Sequence, residues 1–448
     1  MFIGRTKELN FLNDYYQRKE SNLVVLYGRR GIGKTELLRV FSKDKQCIYY
    51  NARECSIKEQ YYILEREWEE SYGIKAEEKR YSAVLAKAAE QYSVLIIDEF
   101  HYMMKNSEEW AVALNSVIKE SNKKLLVILS SSSIHWVEND MVNSIGGLAE
   151  SISAFLKIRE FTFADIMSRF PDFDIEQCMI VYSILGGVPA YLNLWMEKRT
   201  LRENIEALFL HKDGRLYREA QNYLKMELRE LGLYNTILSS FVGGTNELND
   251  IYEQTGFSRA KVSVYVKNLM DLDILEKVPS YDPFNKDGLR GIYRIRERVV
   301  QFWYRFVFPN LSLLEQREFK KVYSEKIENE LEHYLEPYFI EICKEYMELL
   351  SEHQRLPYQI DKIGSWYGEG GMLDIIGETM DKKVFLGKCK WSQEAMTEED
   401  FMNVLNLTIQ AGIEPDYYFL FSKNGFTNGL EVKARGISNM TLLSLEDM

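Results

Sequence analysis

Two stretches of this chain combine residue types that together can handle a phosphate ester. In residues 23–35, LVVLYGRRGIGKT, an apolar run leads into Gly28, four residues, then Gly33, Lys34 and Thr35. This is the G-x-x-x-x-G-K-[ST] spacing. Its glycines let backbone N–H groups converge on an anion, its lysine reaches the β- and γ-phosphates, and its threonine hydroxyl holds Mg²⁺. The predicted cradle is Gly28, Arg29, Arg30, Gly31, Ile32, Gly33, Lys34, Thr35 and Glu36. In residues 93–99, SVLIIDE, four apolar residues run straight into two carboxylates. Asp98 is then placed to hold Mg²⁺ through water, and Glu99 to orient and polarise an attacking water. The other reading is a buried strand that merely ends in surface acids; the cradle upstream selects the first.

For these groups to meet, each must stand at the C-terminal end of its strand. Residues 23–27 are mostly β-formers without polar alternation, as a parallel strand buried on both faces requires. A helix opening near Lys34 points its positive end at the anion. In a doubly wound sheet the carboxyl end of the Asp-Glu strand faces the same crevice. The flanking pattern supplies such a sheet. It has a helix over 6–19 with Thr6 as N-cap, a helix to about residue 42, a strand at 47–51, helices at 58–70 and 79–92, a helix at 107–120, and a strand at 124–129. That last strand runs into Ser130, Ser131, Ser132 and Ser133. They read either as a turn or as hydroxyls beside the Asp-Glu strand for the γ-phosphate or the water, with Ser132 first in line. The alternation of strand and helix to about residue 160 fits a five-stranded parallel sheet with helices on both faces. Phe2, Ile3, Gly4 and Arg5, ahead of the first strand, suit either a purine contact or core packing.

At 448 residues the chain has room for roughly three domains. A net charge of −12 excludes a chain coated in phosphate-binding charge, so any nucleic-acid contact is local. The five cysteines are scattered without a C-x-x-C, which suggests neither a zinc site nor a disulfide framework. The N-terminus is charged too early for a signal peptide. No apolar run approaches the roughly 20 residues of a spanning helix. A soluble cytoplasmic protein with no membrane partner is expected.

FIGRTKELNFL, GRRGIGKT, VLIIDEFHY and LLVILSSSS, in this order and spacing, resemble the archaeal-type AAA+ ATPases, relatives of the origin-recognition and STAND signalling ATPases. The likeness covers about the first 200 residues and continues at 185–192, LGGVPAYL. It implies ATP (or ADP) and Mg²⁺ as cofactors, a helical lid, and Pro189 beside the adenine. The other reading of Pro189 is a first-turn proline of a helix; both hold together. The resemblance also makes Ile3, Gly4 and Arg5 adenine-side contacts. No lid arginine matches the family's second sensor, and Arg159 is a candidate finger only by following a predicted strand at 155–158. Slow hydrolysis is therefore expected, since a finger contributes roughly 10³–10⁵ in rate.

A helix is predicted over 223–239. Residues 246–254, Gly256-Phe257-Ser258 and 259–271 have the form helix, turn, helix, with Ser258 as N-cap, and 272–282 and 291–297 read as wing strands. The second helix carries Arg259, Lys261 and Lys267 and no acid before Asp271, a basic face of the kind that enters the major groove. Residues 221–280 as a whole hold six basic and eight acidic residues, so protein docking stays the other reading. The ATPase family commonly has such a domain here. The aromatic stripe at 301–309, QFWYRFVFP, reads as core packing.

The last third opens with a helix over 325–350. Strands follow at 364–367, 372–377 and 384–391, the last two joined by a turn at 380–383. A helix at 399–410, with Phe401, Val404, Leu405 and Ile409 on its apolar side, and a strand at 417–422 complete the domain. Asp374 and Lys390 resemble the PD-(D/E)XK nuclease core, with Glu341 where that superfamily often has another acid. The C-terminal domain usually attached to these ATPases typically ends in E-C-K-W; here Lys388 replaces the acid. Positions 388 and 390 project to one face of a strand, so an ammonium stands where a metal-binding carboxylate should be. At ~4 Å and an effective dielectric near 20, two unit charges repel by about 4 kcal/mol, and a divalent ion about doubles this. An inactive nuclease-like module is expected; Glu378 or Glu369 would be the migrated ligand of an active one. Lys388 and Lys390 remain suited to a phosphate backbone that is not cut.

The expected architecture is α/β. It comprises a P-loop AAA+ parallel-sheet core at 1–160, a helical lid at 161–220, a winged helix-turn-helix at 221–309 and a nuclease-like α/β domain at 310–448. The expected function is a Mg²⁺-dependent ATP-binding and hydrolysing switch, with DNA or a protein as partner through the winged helix and C-terminal domain. The oligomeric state stays open. The alternatives are a DNA-binding regulator with a structural nucleotide, and an ATP-gated nuclease.

Overall fold

Residues that are apolar on consecutive positions can be buried only between two layers, and the first half of the chain builds its sheet from such runs. A computed structural model describes residues 3–104, 108–121, 123–243, 247–281, 291–368 and 371–448. The chain forms two compact units, residues 1–161 with 188–191, and residues 162–187 with 192–448.

In the first unit the strands are β1 (Asn22–Tyr27), β2 (Cys47–Asn51), β3 (Val94–Asp98), β4 (Leu126–Ser131) and β5 (Ile152–Lys157). They form one sheet in the order β2-β3-β4-β1-β5, parallel throughout. The central β3 and β4 are buried along their whole length, whereas the edge strands β2 and β5 alternate, as one-sided burial dictates. The registers Tyr27↔Ser131, Ile97↔Leu129 and Asn51↔Asp98 bring the carboxyl ends of these four strands into one row. Helices Ile57–Tyr72, Tyr81–Gln91 and Glu108–Glu120 supply Trp68, Leu85 and Trp110 to the core over the sheet. The predicted start of the last of these at Ser107, like Phe2, lies outside the described residues. Two predictions need correction. Thr6 is not the N-cap of the first helix, Thr6–Gln17: Arg5 holds that position with no side-chain cap bond. β4 runs two residues further than predicted and includes Ser130 and Ser131.

In the second unit the predicted helix over 223–239 is broken. Helix Glu219–Glu227 ends, Glu230 takes a left-handed φ of 58°, and a new helix runs Leu231–Val242. Helices Leu248–Thr255 and Arg259–Asp271 follow, then an antiparallel pair, β6 (Leu275–Pro279) and β7 (Gly291–Ile295). The Ser258 hydroxyl accepts from the Lys261 N–H, and Val262, Val266 and Leu269 bury one stripe of the last helix. Residues 244–246 and 282–290, where one predicted helix starts and one wing strand ends, lie outside the described residues. The aromatic stripe is core: Phe302, Trp303, Tyr304 and Phe306 are buried.

Helix Leu331–Glu352 then leads into β8 (Ile360–Gly368), β9 (Gly371–Thr379), β10 (Val384–Lys390), β11 (Tyr417–Ser422) and β12 (Met440–Ser444). β8, β9 and β10 are an antiparallel meander; β11 and β12 add in parallel after helices Glu398–Ala411 and Asn428–Arg435. On helix Glu398–Ala411, Phe401 and Val404 are buried as predicted, but Ile409 is 76 % exposed and Thr408 takes the inward position. No helix among the described residues is long and apolar enough to cross a membrane.

Candidate functional site

The loop after β1 owes its path to three glycines. Gly31 and Gly33 take φ of +81° and +94°, left-handed values that a side chain resists, and Gly33 precedes helix Lys34–Ser42. A Cβ on Gly28 would lie 2.6 Å from the Ile158 carbonyl oxygen. Gly28→Ala is therefore expected to cost about 1–3 kcal/mol of stability through overpacking and to weaken nucleotide binding, read by thermal melts and by titration with a fluorescent ATP analogue.

Lys34 is buried, and its Nζ donates to the carbonyls of Gly28 at 2.8 Å and Arg29 at 3.2 Å. Burial pulls its pKa below the ordinary lysine value, with Glu99 and Asp98 acting in the opposite sense. Arg5, also buried, donates to the Ile32 carbonyl at 3.1 Å, pairs with Glu8 at 3.0 Å and lies 4.7 Å from the Phe161 ring centroid. It braces the loop from behind. Ile3 and Gly4 are half-buried, while Ile32 is fully buried and joins the loop through its backbone. Segment 188–191 lies against the loop: the Ala190 N–H donates to the Gly31 carbonyl at 3.2 Å, and a Cβ on Gly33 would stand 3.9 Å from Pro189 Cγ. Arg29 pairs with Glu160 at 3.4 Å and donates to the Tyr191 hydroxyl at 3.1 Å. Arg30 and Thr35 are exposed, and Glu36 pairs with Arg39 on the outer helix face.

Across the crevice, the Asp98 carboxylate is buried and accepts four hydrogen bonds. Thr35 Oγ1 and the Tyr49 hydroxyl reach Oδ2, each at 2.8 Å; Ser130 Oγ at 2.7 Å and the Glu99 N–H at 3.0 Å reach Oδ1. The two predicted magnesium residues, Thr35 and Asp98, thus touch each other. Glu99 stands at a left-handed φ of 53°. Its Oε2 accepts from the Ser132 N–H at 2.9 Å and Oγ at 2.7 Å, and lies 3.5 Å from His101 Nδ1, itself 3.0 Å from Ser131 Oγ. The Ser132 hydroxyl is therefore committed to the carboxylate of Glu99. Sequence reasoning missed Tyr49, His101 and the Arg29–Tyr191 contact, and it put Ser132 ahead of Ser130, the serine that bonds Asp98. Of these only His101, two residues beyond Glu99, carried a local signal.

The predicted nuclease-like residues are only partly brought together. On β9 and β10, Lys388 Nζ sits 2.8 Å from Asp374 Oδ2, which also accepts the Cys389 N–H at 2.9 Å. Burial would lower the Lys388 pKa, but Asp374 outweighs it and holds it above the ordinary value. Lys390 does not join Asp374; it bonds Asp400 Oδ2 at 2.9 Å and the Ala395 carbonyl at 3.2 Å. Glu341 is taken by Arg294 and, at 2.8 Å, by Arg298. Glu378 pairs with Lys382, and Glu369 lies outside the described residues. Among the described residues no three His, Cys, Asp or Glu side chains are grouped to hold a metal. On helix Arg259–Asp271, Arg259, Lys261 and Lys267 are all exposed. Arg259 lies 5.6 Å from the Tyr252 ring centroid and Lys261 4.9 Å from that of Phe257.

Comparison with known proteins matches residues 2–194 to an ATPase domain predominantly from Archaea, and residues 303–404 to a family of archaeal and bacterial proteins of unknown function. An uncharacterized protein of Methanocaldococcus jannaschii is 27% identical over 396 residues, 87% of this chain and 88% of that protein. An uncharacterized ATP-binding protein of the same organism is 44% identical over 46 residues, 10% of this chain and 78% of its own length. Among solved structures, a Walker-type ATPase of Pyrococcus abyssi aligns with a TM-score of 0.48 at 17% identity, over 68% of this chain and 96% of that one. The ORC2 protein of Aeropyrum pernix aligns at 0.45 and 13%, over 70% and 94%. Over residues 2–194 the chain is thus similar to an ATPase domain predominantly from Archaea, and over 303–404 to archaeal and bacterial proteins of unknown function.

Proposed function

We propose that the chain is a Mg²⁺-dependent ATPase that works as a slow nucleotide-operated switch. The observation that carries this is the hydrogen bond from Thr35 Oγ1 to Asp98 Oδ2 at 2.8 Å, with Glu99 next in sequence. It sets the hydroxyl of the phosphate loop against the carboxylate at the end of β3, the pair that a magnesium ion on a triphosphate needs. The residues present fit the group. The backbone N–H groups of 28–35 and the Lys34 ammonium hold the phosphates, Thr35 and Asp98 hold the ion, and Pro189 with Ile3, Gly4 and Arg5 lines the adenine side. When bound, Mg²⁺ supplies charge neutralisation of the β- and γ-oxygens. Glu99 orients the attacking water and takes its proton, and Ser132 sets the position of that carboxylate. No arginine finger is assigned within the chain; Arg159, exposed beyond β5, is the candidate to act on a neighbouring copy. The test of this reading is phosphate release by the Glu99→Gln chain.

The three helices and hairpin of residues 231–295 act in this reading as a winged helix on DNA, supported by the exposed Arg259, Lys261 and Lys267. Changing Arg259 and Lys261 together to Glu is expected to weaken duplex binding roughly tenfold or more at moderate salt and to flatten its salt dependence. Anisotropy titration checks this, and unchanged affinity removes the helix from the interface. The C-terminal domain is nuclease-like in fold and does not cut. Lys388 neutralises Asp374, and Lys390 is spent on the start of the next helix. Plasmid incubated with Mg²⁺ or Mn²⁺ is expected to stay intact; cutting that is lost on Asp374→Ala would mean that the domain is an active nuclease.

A further inference from the structure

The four donors on the Asp98 carboxylate divide evenly between its oxygens. Ser130 Oγ and the Glu99 N–H reach Oδ1, while Thr35 Oγ1 and the Tyr49 hydroxyl, each at 2.8 Å, reach Oδ2. An ionised carboxylate only accepts, so both hydroxyls on Oδ2 donate. Burial, and after it the Asp98 charge, push the Tyr49 pKa above the ordinary tyrosine value, so the phenol keeps its proton. Thr35 belongs to the phosphate loop and, in the function proposed above, is shared with the magnesium ion. Tyr49 is then the donor on Oδ2, among the described residues, that the ion does not claim.

The tyrosine is itself firmly placed. It stands on β2, the edge strand beside β3, opposite Ile96, with Asn51 opposite Asp98. Two residues of strand span roughly 7 Å, a length that a tyrosine side chain bridges to bring its hydroxyl level with Asp98. Ile48 and Tyr50 are buried in the core over the sheet, which sends Tyr49 to the opposite face. On the open side of the edge strand its backbone is held at both polar groups. The Tyr49 N–H donates to the Tyr72 hydroxyl at 3.3 Å, and the Trp68 indole N–H donates to the Tyr49 carbonyl at 3.2 Å. Both side chains come from helix Ile57–Tyr72, and Trp68 is fully buried. A fixed backbone and a single polar tip on a buried carboxylate make Tyr49 a strut between that helix and Asp98.

We propose that Tyr49 is a positioning residue for magnesium: its hydroxyl holds Asp98 Oδ2 in the direction from which the carboxylate, with Thr35, serves the ion. It touches neither nucleotide nor ion and acts through Asp98, as groups that orient a metal's carboxylate do. The proposal rests on the magnesium reading of Thr35 and Asp98 and adds the residue that sets the strength of that site.

The experiment titrates the full chain, unaltered and carrying Tyr49→Phe, with a fluorescent ATP analogue in EDTA and at a series of free Mg²⁺ concentrations. Tyr49→Phe is expected to leave binding in EDTA as it was and to raise the Mg²⁺ concentration of half-maximal effect about tenfold, the lower figure for losing a group that orients a metal's carboxylate. Phosphate release is expected to show the same shift and to recover at high Mg²⁺. A Mg²⁺ response that stays in place, whatever the thermal midpoint does, makes the tyrosine structural and overturns the proposal. A response shifted to lower Mg²⁺ overturns it too, because the hydroxyl would then compete with the ion. Weakened binding in EDTA does the same, since the effect would then fall on the phosphate cradle. If nucleotide binding by the unaltered chain ignores Mg²⁺, the magnesium reading itself fails and takes this one with it. A response present in the unaltered chain and unmoved by Tyr49→Phe removes this one alone.

Discussion

Glu99→Gln is expected to keep its grip on ATP and to release phosphate about 10²–10⁴-fold more slowly than the unaltered chain, the range for losing a positioned general base. The substitution is close to isosteric, and a glutamine carbonyl still accepts from the Ser132 N–H and Oγ that hold the carboxylate now. The surrounding strand ends are therefore undisturbed, and Asp98 keeps Thr35, Tyr49 and Ser130. What disappears is the ability to accept a proton. Binding is read with a fluorescent ATP analogue and turnover by released phosphate, so the two effects separate. If the unaltered chain binds ATP but releases none, the nucleotide is structural and the regulator reading takes over. If it neither binds nor hydrolyses, the loop at 28–35 is no nucleotide cradle.

Glu341→Ala should have the largest effect on stability. Arg298 is only 9 % exposed, its guanidinium lies 4.0 Å from the Tyr182 ring centroid and 4.6 Å from that of Tyr338, and Glu341 is its carboxylate partner at 2.8 Å. Arg294 loses the same partner but keeps Glu276 at 2.6 Å. Removing Glu341 takes from both guanidiniums the carboxylate that they share. The expected cost is about 3 kcal/mol, the low end of the range because a quarter of the Glu341 side chain reaches solvent. Burial by itself would raise the Glu341 pKa, but Arg294, Arg298 and Lys344 outweigh it and hold it below the ordinary glutamate value. A carboxylate depressed in this way stabilises the fold above its unfolded pKa, and that contribution is lost as pH falls through the folded value. The gap between the two chains in denaturant melts is therefore full at neutral pH and closes on acidification through the depressed pKa of Glu341. A gap that stays constant with pH would show that the carboxylate acts through packing alone.

The path of the glycine loop at 28–35 and the place of Asp98 and Glu99 at a strand end could be read from the chain because each lies in one continuous segment. Apolar runs specify strands buried on both faces, and Gly31 and Gly33 sit where the backbone must turn left-handed within a few residues. The face on which Lys388 stands was legible for the same reason, since alternation along one strand decides it. Choice of partner was not legible. Asp98 meets Tyr49 and Ser130 only because β2, β3 and β4 lie side by side in one register. Lys390 turns to Asp400 because helix Glu398–Ala411 brings that carboxylate to 2.9 Å, and Glu341 turns to two arginines that stand on β7 and at the start of the helix after it. Ile409 faces solvent although it fits the helical period, because only the tertiary packing sets how far along the helix the sheet extends. Local stereochemistry acts over neighbouring residues and is written in their order. Hydrogen bonds and ion pairs form between whichever groups the packed elements bring within about 3 Å, and that distance exists only once the sheets are assembled.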